Sequence, residues 1–210
     1  MAHRVLLADD HAIVREGLRA LLEREGFVVV AEAADGREAV SLAEQHRPDV
    51  AVLDLVMPTL NGLDAGREIL RSGTAKAAIL LTMAAEEYQI AAALRAGIRA
   101  YLLKTQAAHN LVAAIHEVLR GHVHLSPGVS RVVVDGYLSG AKAPVDSLAP
   151  RERQVLQLVA EGRTSKEIAA LLGLSVKTAE SYRANLMEKL DIHETAGLVR
   201  YAIRQGLVAP

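Results

Sequence analysis

The chain has 210 residues, half of them hydrophobic and only 3% aromatic, with no cysteine and a net charge of −1. That length suits two domains, each able to bury a core of Leu, Val, Ile and Ala rather than stacked rings. The composition excludes disulfides, iron–sulfur clusters, thiolate zinc and cysteine nucleophiles, and it disfavours recognition of single strands by base stacking.

From Arg4 to about Gly121, short β-branched or leucine runs alternate with longer amphipathic stretches, which predicts five strand-helix units. The strands are Val5–Ala8, Val28–Glu32, Val50–Asp54, Ala77–Thr82 and Ala100–Leu103, and their near-continuous apolar character predicts cover on both faces. Helices are predicted over Ala12–Glu25, with Ile13, Leu18, Leu21 and Leu22 on one side, and over Leu111–Arg120. The alternation predicts an α/β domain with a five-stranded parallel doubly wound sheet. Residues 122–146 read as a linker punctuated by glycine and proline, with one short helix around Val129–Leu138. His122 and His124 in it read as a solvated pair.

After Pro150 the pattern is all helical. Pro150 suits a first helical position, but Ala149 is a poor cap for it. Thr164-Ser165-Lys166-Glu167 is a capping box, Gly173-Leu174-Ser175 a tight turn, and Ser175 the cap of the next helix. Helix, short glycine turn, helix is the pattern of a unit that reads duplex DNA in the major groove. The charge is −3 over residues 1–121 and +2 over 122–210, so this reading rests on pattern rather than on a basic tail. Projecting Val176–Leu190 at helical pitch puts Val176, Ala179, Leu186, Met187 and Leu190 on a core side. Lys177, Glu180, Ser181, Ala184 and Glu188 lie opposite, with Glu188 beyond the groove. Arg183 falls on the core side, its guanidinium reaching outward. Thr164, Lys166, Lys177, Glu180, Ser181, Arg183 and Ala184 are the candidate DNA contacts.

Asp9, Asp10, Asp54, Thr82 and Lys104 all fall at the carboxyl ends of strands, where doubly wound sheets bind ligands. Three carboxylates packed together repel unless a cation neutralises them, and their oxygens suit a hard divalent ion such as magnesium. Asp54 can then accept a phosphoryl group, with Lys104 as counter-charge and Thr82 as a hydroxyl donor. The plain readings are a carboxylate capping the turn at Met57-Pro58, a solvated lysine and a threonine chosen for β-propensity. Tyr101 reads as a reporter of loop movement or as an ordinary strand tyrosine. His11 is expected to start a helix rather than relay phosphate.

Leu6-Leu7-Ala8-Asp9-Asp10-His11, Asp54-Leu55-Val56-Met57-Pro58 with Asn61-Gly62, Leu81-Thr82-Met83, and Gly97 through Tyr101-Leu102-Leu103-Lys104 resemble, in order and spacing, the receiver motifs of two-component response regulators. Pro150-Arg151-Glu152, Thr164 through Ala169 and Ser181 through Leu186 resemble the LuxR-type helix-turn-helix of the NarL/FixJ subfamily. The resemblance implies a receiver over 1–121, a linker over 122–146 and a DNA-binding domain over 147–210. It implies Asp54 as phosphoacceptor, magnesium on Asp9, Asp10, Asp54 and the Val56 carbonyl, and Thr82, Tyr101 and Lys104 as the switch. A sensor histidine kinase is the implied donor. The expected active form is a homodimer, with Leu198, Val199, Ala202 and Ile203 of the last helix as its seam. Ala149 and Ala179 depart from the family pattern at a cap and at a core position.

Two other readings stand beside this one. A magnesium-dependent phosphohydrolase would place an acid two residues after its nucleophile, where this chain has Val56, so the chain is not expected to be an enzyme. With Ala84 also apolar, nothing in the sequence activates water near an acyl phosphate, and a long-lived phosphorylated form is expected. A regulator that leaves an intact site unused would have the same sequence. No stretch nears the roughly 18 apolar residues of a membrane span, so a cytoplasmic protein is expected.

Overall fold

The computed structural model describes residues 2–139 and 148–209. Strands β1 (Arg4–Ala8), β2 (Val28–Ala33), β3 (Val50–Asp54), β4 (Ala77–Thr82) and β5 (Ala100–Leu103) form one parallel sheet with a short sixth strand, β6 (His124–Leu125). The order β2-β1-β3-β4-β5-β6 makes the winding reverse between β1 and β3, the crevice where such sheets bind ligands. Helices α1 (Ala12–Arg24) and α5 (Lys104–Leu119) cover one face with Leu18, Leu22, Leu111 and Ile115. Helices α2 (Gly36–His46), α3 (Gly62–Ser72) and α4 (Glu87–Arg95) cover the other with Ala39, Ile69 and Ile90. Cover on both faces is why β1, β3 and β4 carry apolar residues at nearly every position.

The stretch assigned to the linker differs from expectation. The helix expected around Val129–Leu138 is present as α6 (Pro127–Ser139), but β6 is not among the expected elements, and both pack on the receiver instead of forming a linker. The outer edge of β5 would otherwise present unpaired amides and carbonyls. Instead the His124 amide donates to the Arg99 carbonyl at 2.8 Å, and the Leu103 amide donates to the buried Ser126 hydroxyl at 3.2 Å. His124 is therefore half-buried rather than solvated, while His122 stays exposed beside Glu117. Ile13 is a second correction, being 85% exposed. It sits in the first turn of α1, directly after the acid pair at the sheet edge, where no strand lies beneath it.

The helical unit consists of α7 (Pro150–Ala160), α8 (Ser165–Leu172), α9 (Val176–Lys189) and α10 (Thr195–Arg204), closed over Val155, Leu158, Ile168, Leu172, Leu186 and Leu198. Burying each such side chain contributes on the order of 2 kcal/mol. Thr164 and Glu167 cap α8 reciprocally, with the Glu167 amide on Thr164 Oγ1 and the Thr164 amide on Glu167 Oε2. At α7, where Ala149 offers no side-chain cap, Glu152 still reaches back to the Ala149 amide at 2.8 Å and holds Lys189 at 2.6 Å. The expected dimer seam needs correction. Leu198 and Ala202 are buried in this unit's own core, where α10 packs on α7.

The two units are docked. Gln157 of α7 donates from Nε2 to the Met57 carbonyl at 2.8 Å, and its Oε1 accepts from the Asn61 amide at 2.9 Å. One turn on, Glu161 Oε1 accepts from the Thr59 amide at 2.9 Å, and Gln154 donates to Glu68 at 2.9 Å. The end of α10 meets α4, where the Gln205 carbonyl accepts from both Tyr88 Oη and Gln89 Nε2. Helix α9 takes no part in these bonds, and Lys177, Glu180, Ser181 and Ala184 face solvent.

Gly62, first residue of α3, approaches β3 so closely that a Cβ there would lie 1.9 Å from the Asp54 carbonyl oxygen. Gly62→Ala is expected to destabilise the receiver by about 3 kcal/mol, read as a lower urea midpoint. An unchanged midpoint would contradict this packing.

Candidate functional site

Asp9 and Asp10 follow β1, and Asp54 ends β3, so the sheet's own register carries three carboxylates to one edge. One oxygen from each, with the His11 ring, lies within 4.8 Å of the others. Asp9 and Asp54 are buried and Asp10 is open to solvent. Lys104, first residue of α5, places Nζ 2.9 Å from Asp54 Oδ2 and 2.7 Å from Asp9 Oδ2. The ammonium thus bridges the two carboxylates as an ion pair. The loop is tethered from α1, because Arg15 donates to the Asp9 carbonyl at 2.6 Å and the His11 amide donates to Asp9 Oδ1 at 2.9 Å. His11 starts α1 and sets Nδ1 2.7 Å from Asp10 Oδ1.

Burial pushes the Asp54 carboxyl up to about 6, and the Lys104 ammonium opposes that rise while Asp9 and Asp10 add to it. Lys104 is itself held above its ordinary value, because its two carboxylate partners outweigh its own burial. A lysine in the first turn of a helix opposes the helix dipole, a cost that the two carboxylates offset. The two buried acids Asp9 and Asp54 with Asp10 beside them offer clustered hard oxygen donors, which fit a small divalent cation.

Thr82 and Val56 line the same pocket. The Thr82 hydroxyl donates to the Ala84 carbonyl at 2.7 Å, which engages it with its own loop. Tyr101 is buried and points inward, its hydroxyl donating to Gln89 Oε1 at 3.2 Å. Thus Asp9, Asp10, Asp54, Val56, Thr82 and Lys104 converge, while Tyr101 lies a layer below, joined through Gln89 to the Gln205 carbonyl of the helical unit.

Among the candidate DNA contacts, Thr164, Lys166, Lys177, Glu180, Ser181 and Ala184 are exposed. Ser181 bonds back to the Lys177 carbonyl at 3.0 Å, and the Arg183 guanidinium turns to Thr195 Oγ1 rather than reaching outward. Val176 is 44% exposed, not on the core side, because it begins the helix at the open end of the turn. The residues that sequence reasoning missed are those of the docking face: Asn61, Gln89, Gln154, Gln157, Glu161 and Gln205. Their only signal is that Gln154, Gln157 and Glu161 share one stripe of α7.

Comparison with known proteins accords with this geometry. Residues 5–116 match the response regulator receiver domain, and residues 146–202 match the bacterial regulatory proteins of the luxR family. The chain belongs to the two-component response regulators with a LuxR-type helix-turn-helix domain. The transcriptional regulatory protein LiaR of Bacillus subtilis is 38% identical over 98% of this chain and 99% of its own length. The response regulator UvrY of Escherichia coli is 37% identical over 97% and 94%. Among solved structures, the RcsB response regulator of Salmonella typhimurium aligns over 99% of this chain and 98% of its own, with 30% identity and a TM-score of 0.69. No helix among the described residues is long and apolar enough to cross a membrane.

Because the folded receiver holds Asp54 near 6 against about 4 when unfolded, the folded state binds the extra proton between those values. Stability is therefore highest below pH 4 for this group and falls as pH rises through 6, by roughly 3 kcal/mol. Asp54→Asn is expected to abolish that fall in urea titrations across pH 4–7. An identical pH slope in the variant would contradict the assignment.

Proposed function

We propose that Asp54 is the phosphoacceptor of a transcription regulator, loaded by a sensor histidine kinase and active as a homodimer on duplex DNA. The observation that carries this reading is the Lys104 ammonium, 2.7 and 2.9 Å from two buried carboxylates on different strands. Magnesium would be held by Asp9, Asp10, Asp54 and the Val56 carbonyl. When bound it supplies charge neutralisation at the phosphoryl oxygens. An Asp54 carboxylate oxygen attacks phosphorus and forms the O–P bond as the donor's P–N bond breaks. The nitrogen keeps the electron pair and takes up a proton.

Lys104 then exchanges one of its carboxylate contacts for a phosphoryl oxygen. Thr82 leaves the Ala84 carbonyl and donates to another, drawing the loop after β4 inward. That loop leads into α4, which carries Tyr88 and Gln89 to the Gln205 carbonyl. Phosphorylation adds about −1.5 to −2 charge, and the docked arrangement is the state it disfavours. The helix α9 is exposed with the units docked, so release governs pairing through α10 rather than uncovering the reading helix. Val199 and Ile203, half-buried, are what remains of the α10 seam. Lys177 serves phosphate or base contacts, with Thr164, Lys166, Glu180, Ser181 and Ala184 around it and Arg183 orienting α9 against α10. Relatives of this kind are transcriptional regulators by name, which favours a non-enzymatic, cytoplasmic role.

Incubation with phosphoramidate and magnesium is expected to add the mass of one phosphoryl group to the unaltered chain and none to Asp54→Asn. Val56 and Ala84 offer nothing to activate water, so the adduct is expected to persist for minutes or longer. A half-life of seconds would count against that arrangement. Lys177→Ala is expected to weaken binding about equally across duplex sequences and to lower the salt slope by about 1. Unchanged affinity and slope would remove Lys177 from the interface.

A further inference from the structure

The C-terminal end of the chain lies over the mouth of the acid pocket. A cavity of about 370 Å³ is walled by Asp10, Asp54 and Lys104 on the receiver side and by Arg204, Gly206 and Val208 on the other. A second space of about 240 Å³, beside Asp10 and Val56, is closed by Val208 and Ala209. The segment is pinned where the Gln205 carbonyl takes two hydrogen bonds from α4. Gly206 follows with φ +59, so close to α4 that a Cβ would lie 2.4 Å from Gln89 Nε2. Leu207 then anchors the segment in the helical unit's core. The Asp54 side chain, the group a donor must reach, is only 6% exposed.

We propose that residues 203–209 are a size-selective cover of the phosphoacceptor: the docked chain admits a small phosphoryl donor and excludes a donor histidine carried on a helix. The inference rests on Asp54 being the acceptor. The pocket leaves room for a small-molecule donor beside Asp54, whereas a helix with its side chains, about 10–12 Å wide, would have to displace Arg204, Gly206, Val208 and Ala209, which line it. In-line attack also requires the donor nitrogen on the far side of phosphorus from Asp54, so the donor must enter the space that this segment lines. A protein donor therefore meets only the undocked fraction of molecules, and its transfer rate scales with that fraction. Docking thus controls the input of the signal as well as its output.

The absence of cysteine allows a direct test in the full chain. Asp54→Cys places one thiol at the acceptor position, and its labelling rate is compared for N-ethylmaleimide and for the same maleimide carried on a small folded helical protein. The comparison is repeated with Gln157→Ala added, which removes the bonds to Met57 and Asn61 without touching either core, and with Gly206→Asn, which forces a side chain against Gln89. The undocking variants are expected to accelerate the protein-borne reagent by about tenfold or more and the free reagent less than about twofold. The proposal is overturned if both reagents accelerate alike, or if the protein-borne reagent is already as fast, relative to the free one, in the docked chain. Failure of the acceptor assignment would appear instead as no mass gain from phosphoramidate in the unaltered chain, leaving these labelling rates as they are.

Discussion

One ammonium group stands between two buried carboxylates, and the rest of the molecule is arranged to keep it there. Lys104 ties the end of β3 to the end of β1 through Asp54 and Asp9. Removing its charge would leave like charges facing each other with little water to screen them, a cost of several kcal/mol that protonation would relieve instead. The sheet meets this demand by geometry. Parallel register brings the ends of β1 and β3 side by side, and α5 begins at Lys104 although its charge opposes the helix dipole. A local rule broken at such a position marks a site maintained for function.

The bonds between the two units are of a different kind. They are polar: neutral hydrogen bonds of side-chain amides, each contributing about 0.5–1.5 kcal/mol net because water satisfies the same groups when the units part, together with carboxylate acceptors at Glu161 and Glu68 and a buried Arg153–Asp64 ion pair at 3.8 Å. Such bonds are exchanged for water when the units part, so a docked and an undocked state can lie close enough for a single added phosphoryl group to shift the equilibrium. An apolar seam of the same size would hold too firmly and would leave exposed apolar surface on release. Gln157 is the clearest example, buried in the docked state and fully satisfied by Met57, Asn61 and its own neighbour Glu161. The same interface carries the C-terminal segment to the phosphoacceptor, so one contact serves regulation of both input and output.

The five long strands and the convergence of Asp9, Asp10, Asp54, Thr82 and Lys104 were legible because apolar runs end in polar residues at sites that parallel topology forces together. The capping box at Thr164 was legible for a similar reason, since its two residues satisfy each other locally. What escaped was settled by tertiary packing. β6 hides behind glycines and prolines that read as punctuation, yet Ser126 pairs the edge of β5, and the helix expected around Val129–Leu138 packs on the receiver rather than standing in a linker. Ile13 and Val176 have the right helical phase for a core and no neighbour to bury them, each lying in a first turn. The docking stripe on α7 looks like any solvated polar face, and no single-domain argument distinguishes the two. Leu198 and Ala202 were read as a seam between copies because an apolar stripe does not say which surface covers it.

The central claim is that occupancy of Asp54 and docking of the helical unit exclude one another. Spin labels on single cysteines introduced at Glu44, on the exposed side of α2, and at Leu171, on the exposed side of α8, would read the separation of the units by pulsed electron resonance. The account predicts one narrow distance in the resting chain, a broader and longer distribution after phosphoramidate and magnesium, and no change in Asp54→Asn. A narrow, unchanged distance in chains confirmed by mass to carry the phosphoryl group would contradict it.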